Sequence, residues 1–185
     1  MAVYQPEDYE KVIKRIQEKI EACSIEMGEC LSEEAIAAFE ASHKVKLPQA
    51  YRLFLQKVGN GCKHVFNSLE QSPCEKLSEP FMLESFWLWE DDDREDALIQ
   101  ADMENKVYRG NLELADMGCG MSYNLIVTGK CRGEVWNFTD VGVQPCCERQ
   151  DFLGWFELWL DNGDEVDYFK DYVYDEADFE SEGFE

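Results

Sequence analysis

Apolar residues recur every three or four positions through the first sixty residues, and this spacing predicts three helices. The first spans about residues 7–22, behind a Pro-Glu-Asp start that suits the positive end of a helix dipole. Ser32 precedes two glutamates and is predicted to cap the second helix. Pro48 is placed in the first turn of the third helix, and Gly59 is expected to end that helix in the left-handed conformation.

The apolar period changes from helical to alternating near residue 111. Leu112 and Leu114 alternate with Glu113, and denser apolar runs follow at residues 125–127 and 135–138. These runs predict three strands. The loop between the last two strands has the length and glycine content of a hairpin, so we expect those strands to pair antiparallel.

Two less regular segments and one further helix complete the pattern. Residues 65–88 have no sustained period and predict loops with one or two short strands, while residues 96–104 are weakly helical. After the strands, Asp151 is predicted to cap a helix with a wide apolar face, which Gly163 ends. The last residues are acidic and aromatic; a short helix to about residue 174 is one interpretation, and we expect residues 179–185 to be disordered.

Composition narrows the class of protein. At 185 residues, with 45% hydrophobic and 13% aromatic residues, the chain can bury one substantial core. Forty acidic residues against seventeen basic ones give a formal net charge of −23, which repels nucleic acid and anionic membrane surfaces. The same charge would speed encounter with a basic protein, although solubility alone accounts for it equally well.

Targeting signals and cysteine spacing indicate the compartment. The start of the chain lacks the pattern of a signal peptide, and no apolar run reaches the ~18 residues of a membrane span, so we expect a cytoplasmic protein. The eight cysteines could form four disulfides, but they contain no CxxC pair, and we interpret them as reduced, mostly buried thiols. Neighbouring Cys146 and Cys147 would point to opposite faces of an extended segment, which disfavours joint redox chemistry or metal ligation.

Two blocks of sequence together resemble the SUKH superfamily. The first, residues 31–61, is LSEEAIAAFEASHKVKLPQAYRLFLQKVGNG, with that family's Phe-Glu pair, Leu-Pro-x-x-Tyr and Gly-Asn-Gly. The second, residues 118–161, contains Gly-Cys-Gly, Gly-x-Val-Trp and Phe-Leu-x-Trp-x-x-x-Trp-Leu. After the first block the chain has Cys-Lys-His where the family tends to have small residues and Pro, so residues 62–110 are this protein's own.

The resemblance implies a fold and a role. The fold is a single α+β domain over residues 1–163, in which a twisted, largely antiparallel sheet carries amino-terminal helices and a carboxy-terminal helix, with an acidic aromatic tail over residues 164–185. Bacterial members are typically immunity proteins encoded beside a cognate polymorphic or contact-dependent toxin, often a nuclease. They bind that toxin and occlude its active site. One alternative is a regulatory or scaffold protein of the cell-wall-synthesis type. Another is an enzyme or small-molecule binder that uses a cleft at a strand edge.

The matched positions are those that a scaffold requires, namely turn glycines and aromatic residues that fill a core. They are Phe39, Glu40, Leu47, Pro48, Tyr51, Gly59, Asn60, Gly61, Gly118, Gly120, Gly133, Trp136, Phe152, Trp155 and Trp159.

Residues for catalysis or metal binding are sparse. The only histidines are His43 and His64, and neither has a motif-like carboxylate or serine partner, so we predict no catalytic residue. Cys62, His64 and Cys74 lack the close ligand pairs and the fourth ligand of a zinc site. The acidic run at residues 90–96 lacks the Gly and terminal Glu of an EF-hand loop. We therefore predict no metal ligand and no cofactor.

A surface for a basic protein partner is the remaining site hypothesis. The aromatic run FWLW at residues 86–89 leads directly into the acidic run EDDDRED, and such a pair combines anchors with electrostatic steering. The alternative is that the acids are a solvated face and the tryptophans are core residues. The predicted partner-binding residues are Trp87, Trp89, Glu90, Asp91, Asp92, Asp93, Glu95, Asp96, Asp167, Tyr168, Asp171 and Tyr172.

Overall fold

The computed structural model describes residues 4–72, 75–146 and 149–170 and contains five helices and five strands within those ranges. The helices are α1 (Tyr9–Cys23), α2 (Glu33–His43), α3 (Gln49–Lys57), α4 (Asp96–Asp102) and α5 (Phe152–Asn162). The strands are β1 (Trp87–Leu88), β2 (Asn111–Gly118), β3 (Met121–Ile126), β4 (Val135–Phe138) and β5 (Gly142–Pro145). The predicted α+β class with an antiparallel sheet is confirmed.

Side-chain caps begin two of the helices as predicted. The Ser32 hydroxyl accepts a hydrogen bond from the Ala35 amide at 3.2 Å, and the Asp151 carboxylate accepts one from the Gly154 amide at 2.8 Å. The first helix begins two residues later than predicted because residues 6–8 form a 3₁₀ turn. Pro48 lies at the N-cap of α3 rather than in its first turn.

Gly59 does not end α3 in the left-handed conformation, so that prediction is wrong. The helix ends at Lys57, and Gly59 is absent from the described residues with positive φ. A side chain at Gly59 would begin 2.6 Å from the Gly28 carbonyl oxygen, so the glycine is required for close backbone packing instead. The left-handed residue of this turn is Gly61, at φ 91°.

The sheet has the strand order β1-β5-β4-β3-β2, and every neighbouring pair is antiparallel. The predicted pairing of β3 with β4 is confirmed. The three predicted strands are β2, β3 and β4, and β1 lies in the segment where one or two short strands were expected. Strand β5 was not predicted, because it has only four residues, of which the first is Gly142 and the last Pro145.

Each face of the sheet covers its own core. The main core lies between one face and α1, α2, α3 and α5; sheet residues in it are Leu112, Leu114, Leu125 and Val135, and Val127 joins them directly after β3. The second core lies between the other face and residues 81–107; its members are Phe81, Leu83, Trp87, Trp89, Ile99, Met103, Val107, Ile126, Cys131, Trp136, Phe138 and Val143. Residues 81–107 therefore form a layer on the second face of the sheet, whereas Phe66, Leu69 and Leu77 pack in the main core.

Packing continues beyond the predicted end of the domain at residue 163. Tyr168 is buried in the main core, and Val166 and Phe169 pack against it. A 3₁₀ turn spans Gly163–Glu165, and residues 166–170 contain no helix, so the predicted helix does not run through them. Residues 171–174, like the tail that was expected to be disordered, lie outside the described residues.

Candidate partner-binding surface

Trp87 and Trp89 are core residues. They are 6% and 8% exposed, and their rings meet edge to face with centroids 5.5 Å apart. The Trp87 indole donates to Asp92 at 3.3 Å, and the Trp89 indole donates to the Asp140 carbonyl at 2.8 Å. Both tryptophans are therefore core residues, as the alternative interpretation holds. Their buried rings lie directly before the acidic run and support its backbone.

Asp92 has a structural role that its acidic neighbours lack. Arg94 donates to both Asp92 oxygens, at 2.9 Å from Nε and 2.7 Å from Nη2, and reaches Asp102 at 2.8 Å from Nη1. Lys106 also donates to Asp102, at 3.1 Å. The hydrogen bonds from Arg94 hold the pKa of Asp92 at about 2. This ion-pair cluster fixes the run against α4, and the Arg94 guanidinium lies 5.8 Å from the centre of the Trp87 ring.

The remaining carboxylates of the run are exposed. We call residues 90–96 the acidic loop. Its backbone is anchored to the sheet, because the Glu90 amide donates to the Val141 carbonyl at 3.2 Å. Within the part of the chain that the structure describes, none of the exposed carboxylates forms an ion pair; these belong to Glu90, Asp91, Asp93, Glu95 and Asp96. The loop thus presents five negative charges on a fixed frame.

The second part of the predicted surface divides between core and solvent. Tyr168 is 3% exposed and stacks on Trp155, with ring centroids 5.5 Å apart and an interplanar angle of 14°. Asp167 is exposed, and one of its oxygens accepts from the Phe169 amide at 2.9 Å. Asp171 and Tyr172 lie outside the described residues. Asp167 is therefore the one described member of this group that offers a carboxylate to solvent.

Residues of the first family motif hold α2 against α3. Glu40 is 2% exposed; its carboxylate accepts from Lys46 at 2.6 Å, from the Leu47 amide at 3.0 Å and from Arg52 at 3.3 Å. Burial opposes its ionisation, but these donors outweigh burial and lower its pKa. Around this centre Phe39 is half-buried, and Leu47, Pro48 and Tyr51 are buried.

Asn60 and Gly61 close the turn after α3. The Asn60 side chain accepts from the Leu69 amide at 2.8 Å and donates to Glu70 at 2.8 Å. This turn borders a cleft of about 420 Å³ formed by residues 26–28, 60–68 and 115–117. His64 lines the cleft and is exposed, whereas burial raises the pKa of Cys62 to about 11, which keeps that thiol protonated and unreactive.

Residues of the second family motif are turns and core. Gly118 and Gly120, at φ 77° and 76°, close the hairpin between β2 and β3, and Gly133 has a φ of 98°. The buried Trp136 donates its indole N–H to Glu134 at 2.9 Å. On α5, Phe152 and Trp155 are fully buried, and Trp159 stacks on Phe156 at a centroid distance of 5.8 Å. The matched residues therefore build the scaffold.

A polar cleft on the second face of the sheet was not predicted from the sequence. Where the residue 81–107 layer ends, this face opens into a space of about 500 Å³. The space is lined chiefly by Asn111, Glu113, Ser122, Asn124 and Thr139, with Glu75, Lys76, Glu104 and Tyr108 at its side. The alternation of side chains along β2 and β3 could have predicted this polar face. Asn111 and Glu113 alternate with core leucines on β2, and Ser122 and Asn124 flank Tyr123 on β3. We call this space the sheet cleft.

The structure also bears on metal binding and membranes. Among residues 4–72, 75–146 and 149–170, no three His, Cys, Asp or Glu side chains are grouped so that they could hold a metal ion. Cys74 and Cys147 lie outside these ranges. None of the described helices has the length and apolarity to cross a membrane.

Comparison with known families identifies the scaffold. The sequence profile of the SMI1 / KNR4 family (SUKH-1) matches residues 30–176, which is most of the chain. The chain therefore belongs to this family, as the two motif blocks predict. A comparison with curated proteins found no match. The family contains both immunity proteins and cell-wall regulators, so membership leaves the role of this chain to be argued from its own surface.

Proposed function

We propose that this member of the SMI1 / KNR4 family (SUKH-1) is an immunity protein, which binds a basic toxin domain and covers its active site. The acidic loop is the observation that carries the proposal. It holds five exposed carboxylates on a backbone fixed by the Trp87 and Trp89 rings and by the Asp92–Arg94 ion pair. A fixed acidic surface loses little conformational entropy on binding and attracts a cationic partner from a distance.

Charge distribution supports a nuclease as the kind of toxin. From residue 67 onward the chain has thirty acidic and eight basic residues, so nearly all of the net negative charge lies in this part. A nuclease places Lys and Arg where the phosphates of its substrate bind. Carboxylates of the acidic loop, docked on those cations, would occupy the phosphate positions and exclude the substrate.

The proposal assigns binding, and no chemical step, to this chain. Inhibition by occlusion requires a stoichiometric complex and no nucleophile, base or metal. The contacts of His43 agree with a chain that performs no chemical step, because they are contacts within α2. The His43 ring stacks on Phe39 with centroids 4.2 Å apart, and its Nδ1 lies 2.9 Å from the Phe39 carbonyl oxygen. This is the packing of a helix end.

Binding to the protein encoded beside this one tests the proposal. The two proteins are co-expressed, purified through a tag on one of them, and titrated against each other at about 20 mM salt, where steering is strongest. We expect a 1:1 complex and loss of the partner's toxic activity on complex formation. Undetectable binding at low salt, or a complex in which the partner retains full activity, would overturn the proposal for that pair.

A further inference from the structure

The sheet cleft is distinct from the acidic loop and combines a half-buried carboxylate with hydrogen-bond acceptors. Glu113 lies on β2 with its side chain in the cleft, and across the described part of the chain its carboxylate has neither a hydrogen-bond donor nor a basic partner. Burial, with a smaller effect from Asp116, raises its pKa above the usual value. An incoming cation would relieve both effects.

The amides that line the cleft leave their oxygens as the available groups. The Asn111 side-chain nitrogen donates to the carbonyls of Val107 and Arg109, both at 2.8 Å, which fixes the orientation of this amide and turns its oxygen away from those carbonyls. Asn124 is 3% exposed, and its nitrogen donates to the Ser122 hydroxyl at 2.8 Å. The cleft is therefore equipped to accept hydrogen bonds from a ligand.

The side of the cleft, like Glu113, carries negative charge. Glu75 and Glu104 stand there with a single basic residue, Lys76, which is engaged by Glu104 at 2.8 Å. Tyr108 is 41% exposed at this side and offers a ring face or edge to a ligand. Three carboxylates against one lysine leave the lining with a net negative charge.

We propose that the sheet cleft binds an arginine side chain of the basic protein partner and thereby determines which partner is bound. The inference rests on the proposed function for the source of that arginine. A guanidinium suits the cleft better than an ammonium, because its planar fork of five donors can reach Glu113 and an amide oxygen together while stacking on Tyr108. Residues 171–185 include seven acids and no Lys or Arg, so they offer the cleft no guanidinium, and the arginine is assigned to another molecule.

The cleft and the acidic loop are both held by the turn at residues 139–142. Thr139 lines the cleft, and its hydroxyl accepts from the Gly142 amide at 3.0 Å. The same turn receives the Trp89 indole at the Asp140 carbonyl and the Glu90 amide at the Val141 carbonyl. We therefore expect a single partner to contact the loop with its basic surface and to insert an arginine into the cleft, because one turn supports both.

The test uses short peptides on the full-length protein, followed by amide NMR. The probes are acetyl-Gly-Arg-Gly-amide and the same peptide with citrulline, which keeps the shape of arginine and removes its charge. We expect the arginine peptide to shift the side-chain amide signals of Asn111 and Asn124 to saturation, and the citrulline peptide to bind at least about tenfold more weakly. Equal binding of the two peptides, shifts centred outside the cleft, or no saturable shift would overturn the proposal.

A matched pair of variants localises the effect. Glu113→Gln should weaken the arginine peptide about tenfold, whereas Glu21→Gln, which changes the net charge equally at an exposed position of α1, should leave its affinity within about twofold. Equal weakening by both variants would mean that net charge alone attracts the peptide, and the cleft assignment would fail. Peptide binding is measured without the toxin, so a bound peptide with no toxin complex would refute the proposed function alone.

Discussion

The first sixty-six residues and the remainder of the chain differ in how far bases balance their carboxylates. Residues 1–66 contain ten acidic and nine basic residues, whereas residues 67–185 contain thirty and eight. In the first part five of the ten acids form ion pairs in the described residues; Glu33 and Glu40 bind Arg52, and Glu10 binds Lys57. In the acidic loop, within the described residues, only Asp92 is matched in this way.

The difference separates carboxylates that hold the fold from carboxylates that are available to a partner. Glu157 of α5 belongs to the first kind although it lies late in the chain, because its partners Tyr4, Arg15 and Lys19 lie in or beside α1. Burial opposes ionisation of Glu157, but the bonds from Arg15, Tyr4 and Lys19 outweigh burial and hold its pKa at about 2. Removing a charge should therefore have a large effect in one class and almost none in the other.

The largest effect is expected at Glu157. Glu157→Gln removes the charge that three partners share in a buried position and should lower the free energy of unfolding by about 3 kcal/mol, measured by urea denaturation at pH 7. The wild-type contribution is fully present above the unfolded pKa near 4.5 and is lost as pH falls from there through about 2. A loss below about 0.5 kcal/mol would place Glu157 with the dispensable acids.

Asp151 should show the opposite pH dependence. It caps α5 but is 3% exposed, and burial raises its pKa from 3.8 to about 6, so its charged form weakens the fold. This penalty is absent below about pH 4 and complete above about pH 6. Asp151→Asn keeps an effective cap and removes the penalty, so the variant should be more stable than wild type at pH 7 by on the order of 2 kcal/mol and equal to it at pH 4. Parallel stability curves across that range would contradict this assignment.

Much of this architecture could be predicted from local pattern. The caps at Ser32 and Asp151, the three amino-terminal helices and the β3–β4 pairing follow from short-range spacing and turn chemistry. The buried cluster around Glu157 could not be predicted, because Arg15 is separated from Glu157 by 142 positions and no short motif joins them. For the same reason, packing of residues 81–107 on the second face of the sheet is a tertiary contact that propensity does not encode.

The sequence predicted the exposed charge of the candidate site, but the aromatic residues predicted to contact the partner are buried. Acidic residues at 90–96 other than Asp92 are exposed as a charged run should be, but the adjoining tryptophans are buried, because their large rings gain from the second core while each indole N–H keeps a hydrogen-bond acceptor. The sheet cleft required knowledge of which end of the sheet the covering layer leaves open. That boundary is set by the turn through Val107 to Gly110, which no apolar period in the sequence marks.

Within the acidic loop, loss of the Asp92 charge should destabilise the fold more than loss of a neighbouring charge, by a smaller amount than at Glu157. Asp92→Asn weakens the bonds to Arg94 and the Trp87 indole and should lower the free energy of unfolding by about 1 kcal/mol. Asp93→Asn, the adjacent exposed carboxylate, is the matched control and should change it by less than about 0.5 kcal/mol. Equal effects in thermal melts of the two variants would mean that the Asp92–Arg94 pair does not fix the loop.

The smallest effect on stability is expected where the effect on binding is largest. Neutralising three exposed loop acids together should leave the unfolding free energy within about 0.5 kcal/mol of wild type, as measured by urea denaturation. The substitutions are Glu90→Gln, Asp91→Asn and Asp93→Asn. A stability loss above about 1.5 kcal/mol would show that these carboxylates stabilise the fold and are not simply exposed for binding.

The association rate of that triple variant with the protein encoded beside this one tests the central claim most directly. It is compared, by stopped flow at low salt, with a control that loses the same three charges from exposed positions in the first sixty-six residues. The control substitutions are Glu7→Gln, Glu21→Gln and Glu29→Gln. We predict that the loop variant associates about tenfold more slowly than wild type while the control stays within about twofold. Equal slowing of both variants would contradict the claim, because net charge and not the acidic loop would then guide the partner.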